Sequence, residues 1–399
     1  MQFFKRELKN GITVLFEKRE LPIVSISITN KFGAAFEKSE IKGIAHFMEH
    51  LVFTGTKTRT HEDISREIEK KGGILNAFTS HEVTSFWCKL PNKHLFAGFE
   101  VLSDMLKNPA FDAEKFEKEK KVILEEIKMY HDMPTRDVFD KIEANLYGKP
   151  FGESVIGSDK SISALKRDFV AKYFFENYNP ANFIVCVVGD ADFEEVCNYL
   201  EKKFEMKKGA SKIIPIVMQN KKSVEEREGI DQAHFMLACH APLLGTNEYN
   251  ALEVLDGYLA NGMSSRLFLE IREKRGLAYA VKSSVDAMKD YSYYGIYVGT
   301  TKEALAEVEK IILREIELVG EMNEKQLQEA KEQIIGLKNV ASEESVNVMN
   351  ELVFAEATGK AEDYYKYEEK INSVELEDVK KLAINLIKNG YSTVAIVPK

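Results

Sequence analysis

Runs of β-forming residues and helical stretches recur in the same order twice along the 399 residues, and a chain of that length built that way suits two similar cores better than one. The first half predicts strands over residues 1–30, with Asn10-Gly11 as a type I′ hairpin signal, then a helix carrying residues 46–50 and another near 60–71. Strands near 74–90, helices over 92–107 and 112–146, a helix near 161–176, the strand FIVCVVG at 183–189 and a helix ending near 204 complete it. The second half repeats the order: strands around 224–240, helices at 246–260 and 264–274, strands at 278–299, four or five helices over 302–388 and a last strand STVAIVP. Glu205 to Ser223, containing KKGASK, reads as a linker. The expectation is an α+β fold of two similar domains, 1–205 and 223–399 joined by 206–222, each a largely antiparallel sheet packed with helices.

Within the first half, His46-Phe47-Met48-Glu49-His50 reads His-x-x-Glu-His. Successive helical residues turn by about 100°, so His46 and His50 share one face and Glu49 lies beside them. Two imidazoles can then reach one Zn²⁺ while a carboxylate stands next to it, the inverted form of the commoner zinc helix, with Glu49 as general base and not a ligand. Ile41, Ile44, Ala45, Phe47, Met48, Leu51, Val52 and Phe53 surround the motif, so the helix is expected to be buried. Titratable groups there cost several kcal/mol unless something satisfies them. A metal does so. The same position in the second half, NEYNALEVLDGYL, has no histidine and cannot hold the same site.

A catalytic zinc takes a third protein ligand and keeps a fourth position open. In FDAEKFEKEKKVILEEIKMY the apolar residues Phe116, Ile123, Ile127 and Tyr130 define an inward stripe; Glu119 and Glu126 lie on its flank, and Glu125 points away. Helical phase makes Glu126 the candidate ligand and Glu119 the group that accepts a hydrogen bond from a ligand histidine. A charged helix with solvated glutamates is the competing reading of the same residues. Likewise, Gly72-Gly73 followed by Ile74–Thr79 reads alone as a helix stop and an ordinary strand, Arg272 as surface charge, and Tyr279 as a core or edge aromatic.

The segments HFMEHLVFTGT, GGILNAFTSHEVTSFW, EKEKKVILEEIKMYHDMP and SSRLFLEIREKRGLAYAV, in this order through both halves, resemble the pitrilysin family of inverted-motif zinc peptidases, which includes mitochondrial processing peptidase and insulin-degrading enzyme. A length near 400 residues is similar to the short-chain bacterial branch and the processing-peptidase β subunit. In the family's pattern the third ligand lies 76 positions beyond the second histidine, which is Glu126, and a helper glutamate seven residues earlier falls on Glu119. The resemblance implies an endopeptidase with one Zn²⁺ per chain, hydrolysing unfolded peptides in a closed chamber. It also implies that the strand at Ile74–Thr79 is an edge to which the peptide adds, with Asn76, Ala77 and Phe78 contacting it. Arg272 and Tyr279 would steady the oxyanion from the second half of an enzyme. Because the chain corresponds to half of the family's four-domain clamshell, the resemblance implies a homodimer with composite active sites, or else a heterodimer with a metal-free paralogue. A catalytically weak structural or assembly subunit of the same fold is the alternative, and the intact ligand set argues against it. A structural zinc would be enclosed by four protein ligands, mostly Cys and His.

The net charge of −9 and the lack of a basic, aromatic-interleaved stripe argue against nucleic acid as a partner. Cys88, Cys186, Cys197 and Cys239 show no C-x-x-C spacing and read as reduced thiols in a cytoplasmic protein. MQFFKRELKNGITVLF has no apolar run before a cleavage site, and no stretch approaches a membrane span, so neither leader nor membrane anchor is expected.

Overall fold

The computed structural model describes residues 2–205 and 212–399. In the first half the strands are β1 (Gln2–Glu7), β2 (Thr13–Lys18), β3 (Ile23–Asn30), β4 (Ile74–Thr79), β5 (Thr84–Pro91) and β6 (Phe183–Gly189). The helices are α1 (Ile44–Phe53), α2 (His61–Glu69), α3 (Leu95–Lys107), α4 (Ala113–Asp132), α5 (Pro134–Leu146), α6 (Asp159–Ala164), α7 (Arg167–Asn177) and α8 (Phe193–Lys203). The second half holds β7 (Lys222–Arg227), β8 (Ala233–His240), β9 (Ala278–Ala287), β10 (Ser292–Thr300) and β11 (Ser392–Pro398). Its helices are α9 (Asn247–Leu259), α10 (Leu305–Glu317), α11 (Glu324–Ala341), α12 (Ser345–Thr358), α13 (Tyr367–Asn372) and α14 (Leu376–Lys388).

One sheet runs β1-β2-β6-β3-β5-β4 and the other β7-β11-β8-β10-β9. Neighbours are antiparallel except β2 with β6 and β7 with β11, which are parallel. The order β2-β6-β3-β5-β4 is thus repeated, directions included, as β7-β11-β8-β10-β9. The α+β architecture of two similar, largely antiparallel sheets agrees with the expectation.

Alternation along the strands gives each sheet two different faces. In β3, Val24, Ile26 and Ile28 join the core beneath α1 and α3, while Ser25, Ser27 and Thr29 point the other way and are equally buried. The cover over that polar face is α12, from the far end of the chain, packed on β6 and β3 with Val348, Met349, Leu352 and Val353 inward. Ser345 Oγ meets Ser25 Oγ at 2.8 Å, and Arg19 donates to Ser342 O at 3.0 Å. The second sheet is covered reciprocally: α5 lies on β8 and β11, and Asn145 donates to Thr393 O at 3.0 Å. Both travelling helices occupy the same place in the repeat, directly after the long helices α4 and α11.

The chain accordingly forms two compact units that are not contiguous stretches. One gathers Met1–Lys128, Glu153–Pro215 and Ser342–Ala361, the other Met129–Gly152, Ile216–Ala341 and Glu362–Lys399. A boundary at 206–222 separates the strands of the two sheets but not these units, because α5 and α12 change sides. Residues 206–211 of the expected linker lie outside the described residues.

Local expectations changed in three places. Asn10-Gly11 lies in a hairpin, but β1 and β2 close at Glu7 and Thr13 through a five-residue turn, longer than a type I′ turn. Asn10 is drawn inward to donate to Leu200 O at 3.1 Å and Phe204 O at 3.0 Å, so its side chain caps the end of α8. The helical stretch 112–146 breaks at Met133, since Pro134 has no N–H to continue α4 and instead occupies the first turn of α5. The stretch 264–274 contains a π-helical turn over Phe268–Glu273.

Helix α1 begins at Gly43 with φ 90°, where a Cβ would stand 2.6 Å from Ile156 O and 2.8 Å from Gly157 Cα. Only glycine fits. The first N–H groups of this helix have no intrahelical acceptor; those of Gly43 and Ala45 donate to the buried Glu37 carboxylate at 2.9 and 2.6 Å. Lys42, also buried, donates to Ala34 O at 2.9 Å and sits 3.9 Å from Glu37. Burial pushes the Glu37 carboxyl up to about 7, against the downward pull of Lys42 and the two helix N–H groups.

The helix exchange predicts that Leu352→Ala, late in the chain, costs about 2–5 kcal/mol in denaturant unfolding and speeds amide exchange in β3 and β6 more than in β8 and β10. The Glu37 carboxyl is held protonated to higher pH in the folded chain than its ordinary 4.5. Its contribution is therefore complete below about pH 4.5 and is lost as pH rises through 7, by about 3 kcal/mol at most. Glu37→Gln should flatten the fall of Tm between those two values, measured side by side with the unaltered chain.

Candidate metal centre and active site

The site is built by packing α1 against α4. In α1, Ile44, Ala45, Phe47, Met48, Leu51 and Val52 are fully buried. Phe47 stacks obliquely on Phe116 of α4 with centroids 4.9 Å apart, and Ile123 of the same stripe joins the core. That contact fixes the register of the two helices and brings the flank of α4 alongside the motif.

His46, His50 and Glu126 come together there, each offering a ligand atom within 4.8 Å of the others. His46 Nε2 lies 3.8 Å and His50 Nε2 3.6 Å from the same oxygen, Glu126 Oε2. These separations are too long for hydrogen bonds. They are close to the ~3.3 Å that separates ligand atoms each about 2 Å from a tetrahedral zinc. The donor set, two imidazoles and one carboxylate with fewer than four protein ligands, is that of a catalytic zinc site. Burial, with His50 as neighbour, holds His46 neutral down to about 3, the form in which imidazole binds a metal. Among the described residues the residues present therefore fit the ion.

His50 Nδ1 and Glu119 Oε1 are 2.9 Å apart, at hydrogen-bond distance. Burial pulls the His50 ring down, but the Glu119 hydrogen bond and the charges of Glu126 and Glu49 outweigh it and raise the ring. Glu49 stands beside the histidines without joining the ligand group, and burial raises its carboxyl against the hydrogen bond from Thr79. That Thr79 bond, 2.5 Å from Oγ1 to Glu49 Oε2, was not anticipated from sequence. The signal existed. Leu75 and Ala77 pack against the core, so strand alternation carries Thr79 to the same inward side, where α1 lies.

Among the described residues, strand β4 is the edge of its sheet and pairs only with β5. Asn76 is exposed, Ala77 and Phe78 are half-buried, and the Phe78 ring lies 5.9 Å from that of Phe354. Arg272 and Tyr279 belong to the second unit. The Arg272 guanidinium sits 4.9 Å over the Phe268 ring and 3.8 Å from Glu273, and Tyr279, near the start of β9, is 67% exposed. A second group, His131, Asp137 and Glu225, also has ligand atoms within 4.8 Å. Cations already occupy it: Arg227 Nη2 is 2.5 Å from both carboxylates, and Lys141 is 2.8 Å from Glu225. It is an ion-pair network. The four cysteines are free and buried. No described helix is long and apolar enough to cross a membrane.

The sequence model of the insulinase family (Peptidase family M16) matches residues 13–159, and that of the Peptidase M16 inactive domain matches residues 164–334. An uncharacterized zinc protease of Bacillus subtilis, YmxG, is 31% identical over 98% of this chain and 97% of its own. One from Mycobacterium leprae is 31% identical over 98% and 91%. Among solved structures, a protease from Helicobacter pylori superimposes with a TM-score of 0.92 at 22% identity, covering 100% of this chain and 99% of that one. A peptidase M16 inactive domain from Pseudomonas fluorescens gives 0.90 at 19%, covering 100% and 98%; these two likenesses speak to the fold alone. With full-length relatives above 30% identity and family models over most of its length, the chain belongs to the insulinase family of peptidases, M16.

Proposed function

We propose that this chain is a zinc-dependent endopeptidase acting on unfolded peptides, with His46, His50 and Glu126 as metal ligands. The observation that carries the reading is the convergence of both Nε2 atoms on one Glu126 oxygen at 3.8 and 3.6 Å. Zinc bound there supplies the positive charge that acidifies water and polarises a peptide carbonyl. Glu119 holds the His50 ring by its Nδ1, fixing the tautomer that leaves Nε2 free to ligate. Glu49, a buried carboxylate beside the metal group, takes the proton of the attacking water and returns it to the leaving amine. The unpaired edge of β4 receives the peptide as an added strand, its backbone bonded near Asn76, Ala77 and Phe78 and its register set by the strand.

Arg272 and Tyr279 complete the reading from a second copy of the chain, where they would bind the carbonyl oxygen and the charge that develops on it. Two such chains correspond to the four domains of the double-length relatives and would enclose the peptide between them. A homodimer with two composite sites is the economical assembly.

Metal content per chain and turnover of an unstructured peptide test the catalytic part. Glu49→Gln should keep one zinc and lose activity about 10²–10⁴-fold; His50→Ala or Glu126→Gln should lose both, and a chelator should abolish turnover in the unaltered chain. A folded, metal-loaded chain with no turnover on any unstructured peptide would point instead to a structural or assembly subunit. The dimer has its own test. Mixing Glu49→Gln chains with Arg272→Ala chains, each inactive, should restore about a quarter of wild-type activity by random exchange of protomers, whereas a site complete within one chain restores none.

A further inference from the structure

Thr79 stands where the proposed peptide-binding edge meets the carboxylate beside the metal group. It is the last residue of β4, the strand whose free edge would take the peptide, and its hydroxyl donates to Glu49 Oε2 at 2.5 Å. Its backbone has little freedom. Thr79 pairs with Thr84 across the hairpin, and the turn beyond it is closed by Ser80 N to Val83 O at 2.8 Å and Val83 N to Ser80 Oγ at 3.2 Å. The turn is itself seated on the segment that follows β3: Ala34 N donates to Ser80 O at 3.0 Å and Ala35 N to His81 O at 2.7 Å. A Cβ on Gly33 would stand 2.3 Å from Ser80 O, so only glycine allows this approach. Four residues beyond Gly33, Glu37 grips the first turn of α1. The helix that carries Glu49 and the strand end that carries Thr79 are therefore moored to the same five-residue stretch, Gly33 to Glu37.

We infer that Thr79 is a positioning residue for Glu49, an inference that rests on the proposed role of Glu49 as base. A glutamate side chain has three rotatable bonds, and packing alone does not fix the orientation of its terminal oxygens. With Oε2 held by the Thr79 hydroxyl, Oε1 is the oxygen left to accept the proton of the attacking water. The same bond ties the carboxylate to the strand that sets the peptide's register. Base and scissile bond are thereby located from one backbone.

The test is a comparison of variants in the full-length, zinc-loaded protein with an unstructured peptide as substrate. Thr79→Val keeps the shape and removes the hydroxyl; it should keep one zinc per chain and a KM within about twofold of wild type, and lower kcat by roughly 10–100-fold. Thr79→Ser should stay within a few-fold of wild type. In a Glu49→Gln background Thr79→Val should add no further loss, since both changes remove one function. The inference is overturned if Thr79→Val turns over like wild type, if Ser and Val variants fall equally, if the change lies in KM or zinc content, or if the double variant loses the product of both effects. Should Thr79→Val not fold, Thr79→Ser and Thr79→Ala read the same difference: serine near wild type with alanine low in kcat supports the role, and equal values refute it. Failure of the underlying reading looks different, because Glu49→Gln itself would then remain active.

Discussion

Three donors, two imidazole nitrogens and a carboxylate oxygen, are held within 4.8 Å of one another on partly buried helices, and no hydrogen bond among them accounts for it. Protein interiors tolerate such a cluster only when its polar atoms are satisfied. The surrounding structure serves to hold it in place. The Phe47–Phe116 contact sets how α1 and α4 meet, Glu119 orients one ring, and Glu37 with Gly43 fixes where α1 starts. None of these groups could be moved by a turn of helix without dispersing the donors.

The second half of the chain shows the same framework put to a different use. Where α1 presents its motif to α4, α9 presents Gly257 to α11 so closely that a Cβ would lie 2.8 Å from Ile334 Cγ2. The junction is filled by apolar packing instead of polar donors. A carboxylate persists next to it, Asp256, but Tyr294 OH donates to it at 3.0 Å and Asn261 at 3.3 Å, and burial raises its pKa. Its hydrogen bonds tie it to β10 through Tyr294 and to the end of its own helix through Asn261.

Much of this was legible in the sequence because it follows from short-range periodicity. The histidine pair and Glu49 share a helical turn, and Glu119 and Glu126 are placed by phase along a single helix. The strands of both sheets follow from alternation and β-branched runs. What could not be read depends on contacts between residues far apart in the chain. Nothing local in Ser345–Thr358 says that it covers β3 and β6, and the serines on β3 read as a solvent face until that helix is placed over them. Glu37 looks like one more surface glutamate, yet it is fully buried beneath the helix it caps. The Asn10-Gly11 signal was locally sound but lost to the tertiary demand of the α8 carbonyls.

The crossing of α5 and α12 sets the order in which the molecule can be made. On the ribosome, all six strands of the first sheet emerge by residue 189, but the helix that roofs their polar side is not synthesised until residues 345–358. For roughly 150 residues of elongation that side has no lid. The metal-binding part of the nascent protein thus reaches its finished form only when most of the remainder already exists, and a prematurely terminated product would display an uncovered sheet to the cell's quality control.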